Sequence, residues 1–178
     1  MHSQNSIGKS KVESGKQFLQ SINPTLTINA IAEKATENSL KELLPSVNLA
    51  LDCTDNFATR QLINAACFTH KVPLVSGSAL KFDGQLSVFD FRSATSPCYA
   101  CLFSPEEQFE EVSCASMGIF SPLVGIIGAM QAAQALQVLI GFGQPLVGRM
   151  LLWNALNTQI DEIRISRNPA CKVCGSQH

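Results

Sequence analysis

The chain has 178 residues, of which 46% are hydrophobic and 15% are charged, and its formal net charge is -1 at pH 7. This composition is typical of a globular protein with a substantial core, and it excludes an intrinsically disordered chain. The balanced charge, without runs of like sign, predicts no nucleic-acid partner.

Helices and strands alternate in the first half of the chain. The predicted elements are, in order, a helix at 10–22, a strand at 26–31, a helix at 38–44, a strand at 47–52, a helix at 55–71 and strands at 72–77 and 84–91. This alternation is typical of an α/β fold with a parallel sheet. No linker rich in Gly, Ser or Pro divides the sequence, so we interpret residues 1–178 as a single domain.

The second half of the chain has a different pattern. A long helix is predicted at 122–140, with Ser121 as its N-cap, Pro122 in its first turn and Gly141 beyond its end. Two strands, at 149–153 and 161–166, then predict an antiparallel extension of the sheet.

The long helix is also the one stretch that resembles a membrane span, because its 19 residues carry no charge. However, Gln131, Gln134 and Gln137 recur at every third residue and form a polar stripe. We therefore interpret it as a buried helix of a soluble protein and expect no membrane association. Seven cysteines without an N-terminal apolar signal predict the reducing environment of the cytoplasm.

Four of the cysteines form two Cys-x-x-Cys pairs. Cys98 and Cys101 are separated by 69 residues from Cys171 and Cys174. Two thiolates three positions apart can bind one metal ion from a single turn, and two such turns complete a tetrahedral sulfur shell. The spacing predicts a structural zinc site, with redox-active dithiols or unrelated core cysteines as the alternatives.

The other three cysteines divide into two kinds. Cys53 and Cys67 fall in apolar surroundings and are predicted to be core residues. Cys114 lies in a polar segment just before the long helix, where an exposed thiol can become a nucleophile. Its acidic neighbours disfavour the thiolate, so the residues alone leave both readings of Cys114 open.

The predicted strand at 47–52 leads into Asp55 and Asn56 just before a helix. Ligands of open α/β sheets bind beyond the carboxyl ends of the strands, where Asp55 could hold Mg²⁺ on a nucleotide. Asp and Asn are equally preferred as helix caps, which is the alternative. Lys11, at the start of its helix, could reach phosphate oxygens or be an ordinary surface lysine.

Several segments together resemble one protein family. They are IGKSKVES, LDCTDNFATRQLINAAC, VPLVSGSALKFDGQLSVF, PCYAC, SCASMGIFSPLVGIIG and NPACKVCG. In order and spacing they resemble the ThiF/MoeB/HesA family, the bacterial relatives of ubiquitin-activating enzymes, over nearly the whole chain. The wording of VSGSALKFDGQLSVFD and FGQPLVGRMLLWNAL is closer to its molybdopterin-synthase adenylyltransferase branch (MoeB) than to its thiamine branch (ThiF).

The resemblance implies an activity and its partners. It implies ATP–Mg²⁺-dependent adenylation of the C-terminal Gly-Gly tail of a ubiquitin-like sulfur carrier, with the MoaD type of molybdopterin cofactor biosynthesis favoured. The alternatives are a ThiS carrier of thiamine biosynthesis, or a truncated module that binds a carrier without catalysis. The resemblance also implies a homodimer and a structural zinc ion held by the four paired cysteines.

The same resemblance implies roles for individual residues. Lys11 matches the lysine that contacts the phosphates, Asp55 the aspartate that serves the metal and the reaction centre, and Asn56 a residue of the nucleotide pocket. Cys114 matches a position that forms a thioester or persulfide in some members. Arg60, one helical turn past Asn56, either faces the carrier's tail or is a helix-surface charge.

The sequence departs from the family before residue 7. Members carry there a strand, a GxGxxG loop that holds phosphate, and further nucleotide-binding residues, and this sequence contains no GxGxxG. We therefore expect a Rossmann-like, mostly parallel sheet that lacks its first βαβ part. A fragment of a longer enzyme, a decayed gene product and a binding module are the three explanations. Low solubility or dependence on a partner is expected in each case.

Overall fold

The computed structural model describes residues 4–106 and 118–175. Its chain divides into two compact units, Met1–Ala35 and Thr36–His178. Each unit is described by itself below, and the single domain expected for residues 1–178 stays a prediction.

The Met1–Ala35 unit contains a 3-10 turn at Gln4–Ser6 and helix α1 at Lys11–Ile22. Ser10 caps α1, since its side chain accepts a hydrogen bond of 3.2 Å from the backbone N–H of Glu13. The helix ends at Asn23, whose side-chain Oδ1 accepts a hydrogen bond of 3.0 Å from the backbone N–H of Thr25. These caps confirm the predicted bounds of the first helix.

The strand predicted at 26–31 is wrong. The segment is irregular, and no ladder of backbone hydrogen bonds joins it to any strand within the described residues. An alternating pattern becomes a strand only when a partner accepts its backbone groups and one face is buried. Leu26 and Ile31 remain exposed, so neither condition is met here.

The Thr36–His178 unit carries the remaining elements. In chain order they are α2 (Glu37–Leu43), a 3-10 turn (Leu44–Ser46), β1 (Ala50–Asp52), α3 (Phe57–His70), β2 (Leu74–Leu80), β3 (Asp83–Phe89), α4 (Tyr99–Leu102), α5 (Ser121–Ile140), β4 (Arg149–Asn154) and β5 (Gln159–Arg164).

The five strands form one sheet in the order β1-β2-β3-β4-β5. Strands β1 and β2 are parallel, with Asp52 opposite Ser76, and the other neighbours are antiparallel. The mixed α/β fold, parallel first and antiparallel at its end, is confirmed. The change of direction comes at β3, earlier than expected. Only Lys81 and Phe82 separate β2 from β3, which is too short for a parallel crossover and closes a hairpin instead.

Helix α5 packs against β2 and β3. Its N-cap is Phe120 and not Ser121, while Gly141 ends it in the left-handed conformation, at φ 79°. By length and composition α5 could cross a membrane. In this fold, the side of the helix that carries Leu123, Ile127 and Gln131 is buried. Most of the helix is not buried by the described residues, so the predicted burial is found on one side of α5 only.

Hydrophobic clusters lie on both faces of the sheet. Leu74 of β2 belongs to one cluster with Phe89, while the next residue, Val75, belongs to the other with Val88. Successive side chains of a strand point to opposite faces, so the two clusters are separated by the sheet. The Leu74 cluster contains three of the paired cysteines, and the Val75 cluster is covered by α5.

Candidate functional site

A cavity of about 170 Å³ lies beyond the carboxyl end of β1 and beside the second half of β2. Its walls include Cys53, Thr54 and Asp55 from the loop after β1, Gly77 and Ser78 from β2, and Gln131 from α5. The carboxyl ends of neighbouring parallel strands meet at one edge of a sheet, which is where open α/β folds bind ligands. The cavity therefore stands where the sequence predicted a site.

The sequence left open whether Asp55 and Asn56 cap the following helix or face a ligand. The Asn56 side chain caps α3, since its Oδ1 accepts a hydrogen bond of 2.9 Å from the backbone N–H of Thr59. Asp55 is exposed on the cavity wall, and within residues 4–106 and 118–175 its carboxylate has no hydrogen-bond or ion-pair partner. The cap thus belongs to Asn56, and the Asp55 oxygens are available to a ligand.

A buried ion pair supports the loop from below. Asp52, the last residue of β1, is 1% exposed and faces Arg60 of α3, which is 8% exposed. Arg60 Nη1 lies 3.7 Å from Asp52 Oδ2 and donates to the Gly77 carbonyl, while Nη2 donates to the Thr54 carbonyl. The prediction that Arg60 is a helix-surface charge is wrong, because the side chain is buried. Arg60 also lines the cavity, and its role toward a carrier's tail stays a prediction.

The same carboxylate orders the start of the loop. Asp52 Oδ1 accepts hydrogen bonds from the backbone N–H and the hydroxyl of Thr54, at 2.9 and 2.7 Å. Asp52 is a residue supporting the candidate site that sequence reasoning missed. Its signal was a charged residue ending an otherwise apolar strand, since a carboxylate there needs a buried cation.

Gln131 ties α5 to the end of β1. Its Nε2 donates to the Asp52 carbonyl at 2.9 Å and to the Val75 carbonyl at 3.3 Å, and its Oε1 lies 3.5 Å from Cys53 Sγ. The predicted polar stripe is therefore turned at least in part toward the sheet. Cys53 corrects a prediction, since the residue is exposed at the cavity and not a core cysteine.

Cys67 is a core residue, as predicted. It is completely buried in α3, and burial raises the pKa of its thiol to about 12, with the nearby Asp52 carboxylate adding to the effect. A thiol with so high a pKa is a poor nucleophile at neutral pH.

The four paired cysteines come together on the face of the sheet that α3 covers. Cys98 Sγ lies 3.8 Å from Cys101 Sγ and 3.6 Å from Cys171 Sγ, and Cys101 Sγ lies 3.3 Å from Cys174 Sγ. All four sulfur atoms lie within 4.8 Å of one another. The sequence spacing correctly predicted which cysteines meet.

The donor set fits zinc. Four sulfurs at about 2.3 Å from a tetrahedral zinc ion are about 3.8 Å apart, close to the distances found here. Backbone N–H groups of Asn168 and Val173 point at Cys101 Sγ and Cys171 Sγ, at 3.4 and 3.5 Å, as is common around thiolate ligands. A closed four-sulfur shell leaves no position for water, so such an ion would be structural.

Two further predicted site residues are Lys11 and Cys114. Lys11 is the first residue of α1, is exposed, and belongs to the Met1–Ala35 unit. Cys114 falls within residues 107–117, outside the described residues. The roles of both stay predictions.

The fold and the cavity define a class of protein, namely an α/β domain with a cavity at the carboxyl end of a parallel strand. A family model narrows the class. The model of the ThiF family matches residues 1–173, and the chain belongs to this family.

Relatives in the family are named adenylyltransferases. The chain is 40% identical over 177 residues to molybdopterin-synthase adenylyltransferase of Salmonella typhimurium, covering 98% of this chain and 70% of the relative. It is 38% identical to a sulfur carrier protein adenylyltransferase of Thermus thermophilus, covering 96% of this chain and 65% of the relative. These names place the chain in a family of nucleotidyltransferases.

Solved structures show the same fold. The E. coli MccB structure with MccA-N7isoASN matches with a TM-score of 0.82 at 19% identity, covering 98% of this chain and 54% of MccB. A structure of E. coli MccB with ATP matches with a TM-score of 0.80 at 19% identity. The chain thus spans about half the length of the MccB chain.

Proposed function

We propose that this chain belongs to an enzyme that adenylates the C-terminal glycine of a ubiquitin-like sulfur carrier, with ATP and Mg²⁺ as co-substrates. The observation that carries the proposal is the Asp55 carboxylate, which lines the strand-end cavity and has no partner among residues 4–106 and 118–175. The names of relatives at 38–40% identity support the reaction class. The Salmonella relative's name favours a MoaD-type carrier and molybdopterin cofactor biosynthesis over a ThiS-type carrier.

In the proposed reaction, a carboxylate oxygen of the carrier's terminal glycine attacks the α-phosphorus of ATP. An acyl–phosphate bond forms, the bond to the β-phosphate oxygen breaks, and pyrophosphate leaves. Asp55 would hold Mg²⁺ through its carboxylate oxygens, since these are ligands that Mg²⁺ prefers, and the ion would supply charge neutralisation at the phosphates. Asn56 fixes the loop at the helix start, and Lys11 neutralises phosphate charge. Cys114 is proposed as the site of a later thioester or persulfide.

The direct test is carrier-dependent ATP–pyrophosphate exchange by the 178-residue chain with each type of carrier. We expect exchange with the MoaD-type carrier, and a loss of about 100-fold or more in Asp55→Asn, because the amide holds the metal poorly. Asp161→Asn on the exposed strand β5 is the matched control and should keep the parental rate.

Two results would count against this proposal. Parental exchange in Asp55→Asn would remove the carboxylate from the reaction. A parent chain that captures a carrier without any exchange would mean a fragment of a longer enzyme or a non-catalytic binding module. Response to the ThiS-type carrier alone would reassign the pathway to thiamine biosynthesis.

The proposed assembly is a cytoplasmic homodimer that uses the outer face of α5. Leu136 and Ile140 there are 53% and 69% exposed, and the space above Gly125 and Gly128 is open. Small residues let a second backbone approach closely, while the exposed apolar side chains have no other cover within the described residues.

Light scattering should therefore report twice the mass of one chain, and Leu136→Glu should shift the protein to monomers because a charge would be buried in the interface. Leu156→Glu, at an equally exposed turn between β4 and β5, should leave the mass unchanged. A monomeric parent chain at micromolar concentration would exclude this interface.

A further inference from the structure

Helix α3 connects the four-cysteine cluster to the loop that carries Asp55. Its N-terminus follows that loop, and its middle packs beside the first Cys-x-x-Cys pair. Two buried polar side chains, Arg60 and Asn64, stand on successive turns of this helix and therefore on the same side.

The lower contact reaches the cysteine pair. Asn64 is completely buried, and its Oδ1 accepts a hydrogen bond of 2.9 Å from the backbone N–H of Tyr99, the residue next to Cys98. The Asn64 Nδ2 group has no partner among the described residues. Among the described residues, the hydrogen bond to Tyr99 is therefore the only one that the fully buried Asn64 amide group forms.

The upper contact reaches the loop. Arg60 donates to the Thr54 carbonyl, which directly precedes Asp55, and to the Gly77 carbonyl of β2 at 3.3 Å. Its ion pair with Asp52 also holds the residue that binds the Thr54 backbone N–H. A shift of α3 along its axis would disturb all of these bonds together.

We propose that Asn64 is a positioning residue, which makes the order of the Asp55 loop depend on metal binding by the four cysteines. The inference rests on the zinc site and on the proposed role of Asp55. With zinc bound, Cys98 and Cys101 fix the Tyr99 N–H against Asn64. This hydrogen bond holds α3 in the axial position from which Arg60 donates to the Thr54 and Gly77 carbonyls. Without zinc the turn at 98–101 loosens, and Asn64 loses its hydrogen bond to Tyr99. A buried amide without a hydrogen-bond partner costs free energy, so Asn64 does not remain in place.

Hydrogen exchange provides the test. The parent protein, zinc-loaded and then chelated under reducing conditions, is followed by mass spectrometry over peptides 50–60 and 61–70. Zinc content is measured separately. Zinc removal should accelerate exchange in peptide 50–60 by about fivefold or more, while peptide 61–70 stays protected because its opening would require α3 to unfold.

The matched variants are Asn64→Leu and Cys67→Ala. Asn64→Leu keeps the branched shape and the number of side-chain heavy atoms but removes the hydrogen bond to Tyr99, so its zinc-loaded form should already exchange quickly at 50–60 and respond little to chelation. Cys67→Ala weakens the packing on the same buried side of α3, and the Cys67 thiol forms no hydrogen bond within residues 4–106 and 118–175. It should keep the parental response to zinc.

Each other outcome overturns the inference. A parent protein that loses zinc without any change at 50–60 shows that the two sites are independent, and leaves the zinc site itself standing. Simultaneous exposure of 50–60 and 61–70 shows global unfolding without local coupling. An Asn64→Leu protein that responds as the parent does removes Asn64 from the coupling. A parent that binds no zinc overturns the metal site and the inference together, while the pyrophosphate-exchange test of Asp55 remains separate.

Discussion

Chelating zinc from the metal-loaded protein is expected to lower its Tm by roughly 8–16 °C. A metal that binds only the folded state adds about 4 kcal/mol when its free concentration is 1,000 times Kd, and 1 kcal/mol shifts Tm by about 2–4 °C at this chain length. The cysteine cluster supports so large an effect, because its sulfurs already lie 3.3–3.8 Å apart across two distant segments.

The experiment pairs thermal melting with zinc analysis on Cys174→Ser and Cys53→Ser. Cys174→Ser removes one of four ligands and should lose both the metal and the added stability. Cys53→Ser changes a cysteine outside the cluster and should keep one zinc per chain. Equal zinc content in the two variants would refute the assignment of the ligands.

Replacing Arg60 by Met is expected to reduce the free energy of unfolding by about 3–5 kcal/mol, since it leaves the Asp52 carboxylate buried without its cation. Asp52 is 1% exposed, so water cannot replace the lost partner. The Thr54 and Gly77 carbonyls lose their donor in the same variant.

Urea denaturation of the zinc-loaded protein measures this loss. Arg92→Met is the matched control, because Arg92 also pairs with an aspartate, Asp90, at 2.7 Å, but its side chain is 54% exposed. Exposed ion pairs contribute about 0–1 kcal/mol. If the two variants lose equal stability, the Asp52–Arg60 pair is not the buried support inferred from its geometry.

Local patterns predicted the parts of the fold that depend on local physics. The capping residues and the apolar spacing located α1, α3 and α5 to within a few residues, since caps and periodicity act within one or two turns. Residues 26–31 failed because a strand depends on a partner that local sequence does not describe. The antiparallel course of β3 was likewise decided by a two-residue connection.

In the candidate site, too, local sequence predicted some features, while others depend on tertiary packing. The spacing of Cys98, Cys101, Cys171 and Cys174 encodes its own chemistry, so the cluster was predictable. The position of Asp55 after a strand was predictable from the chain order. The pairing of Asp52 with Arg60 was not, because it depends on how α3 packs over β1; the apolar strand before Asp52 indicated only that its carboxylate needs a buried cation.

The cysteine cluster also changes how the chain is connected. With metal bound, the 69 residues between Cys101 and Cys171 form a closed ring of covalent and coordinate bonds that includes α5, β4 and β5. By the relation used for disulfides, closing a ring of this size removes roughly 4 kcal/mol of unfolded-state entropy. A single proteolytic cut anywhere in that ring would leave the two pieces joined through the metal ion. They would separate only after the metal dissociates from the cysteine thiolates.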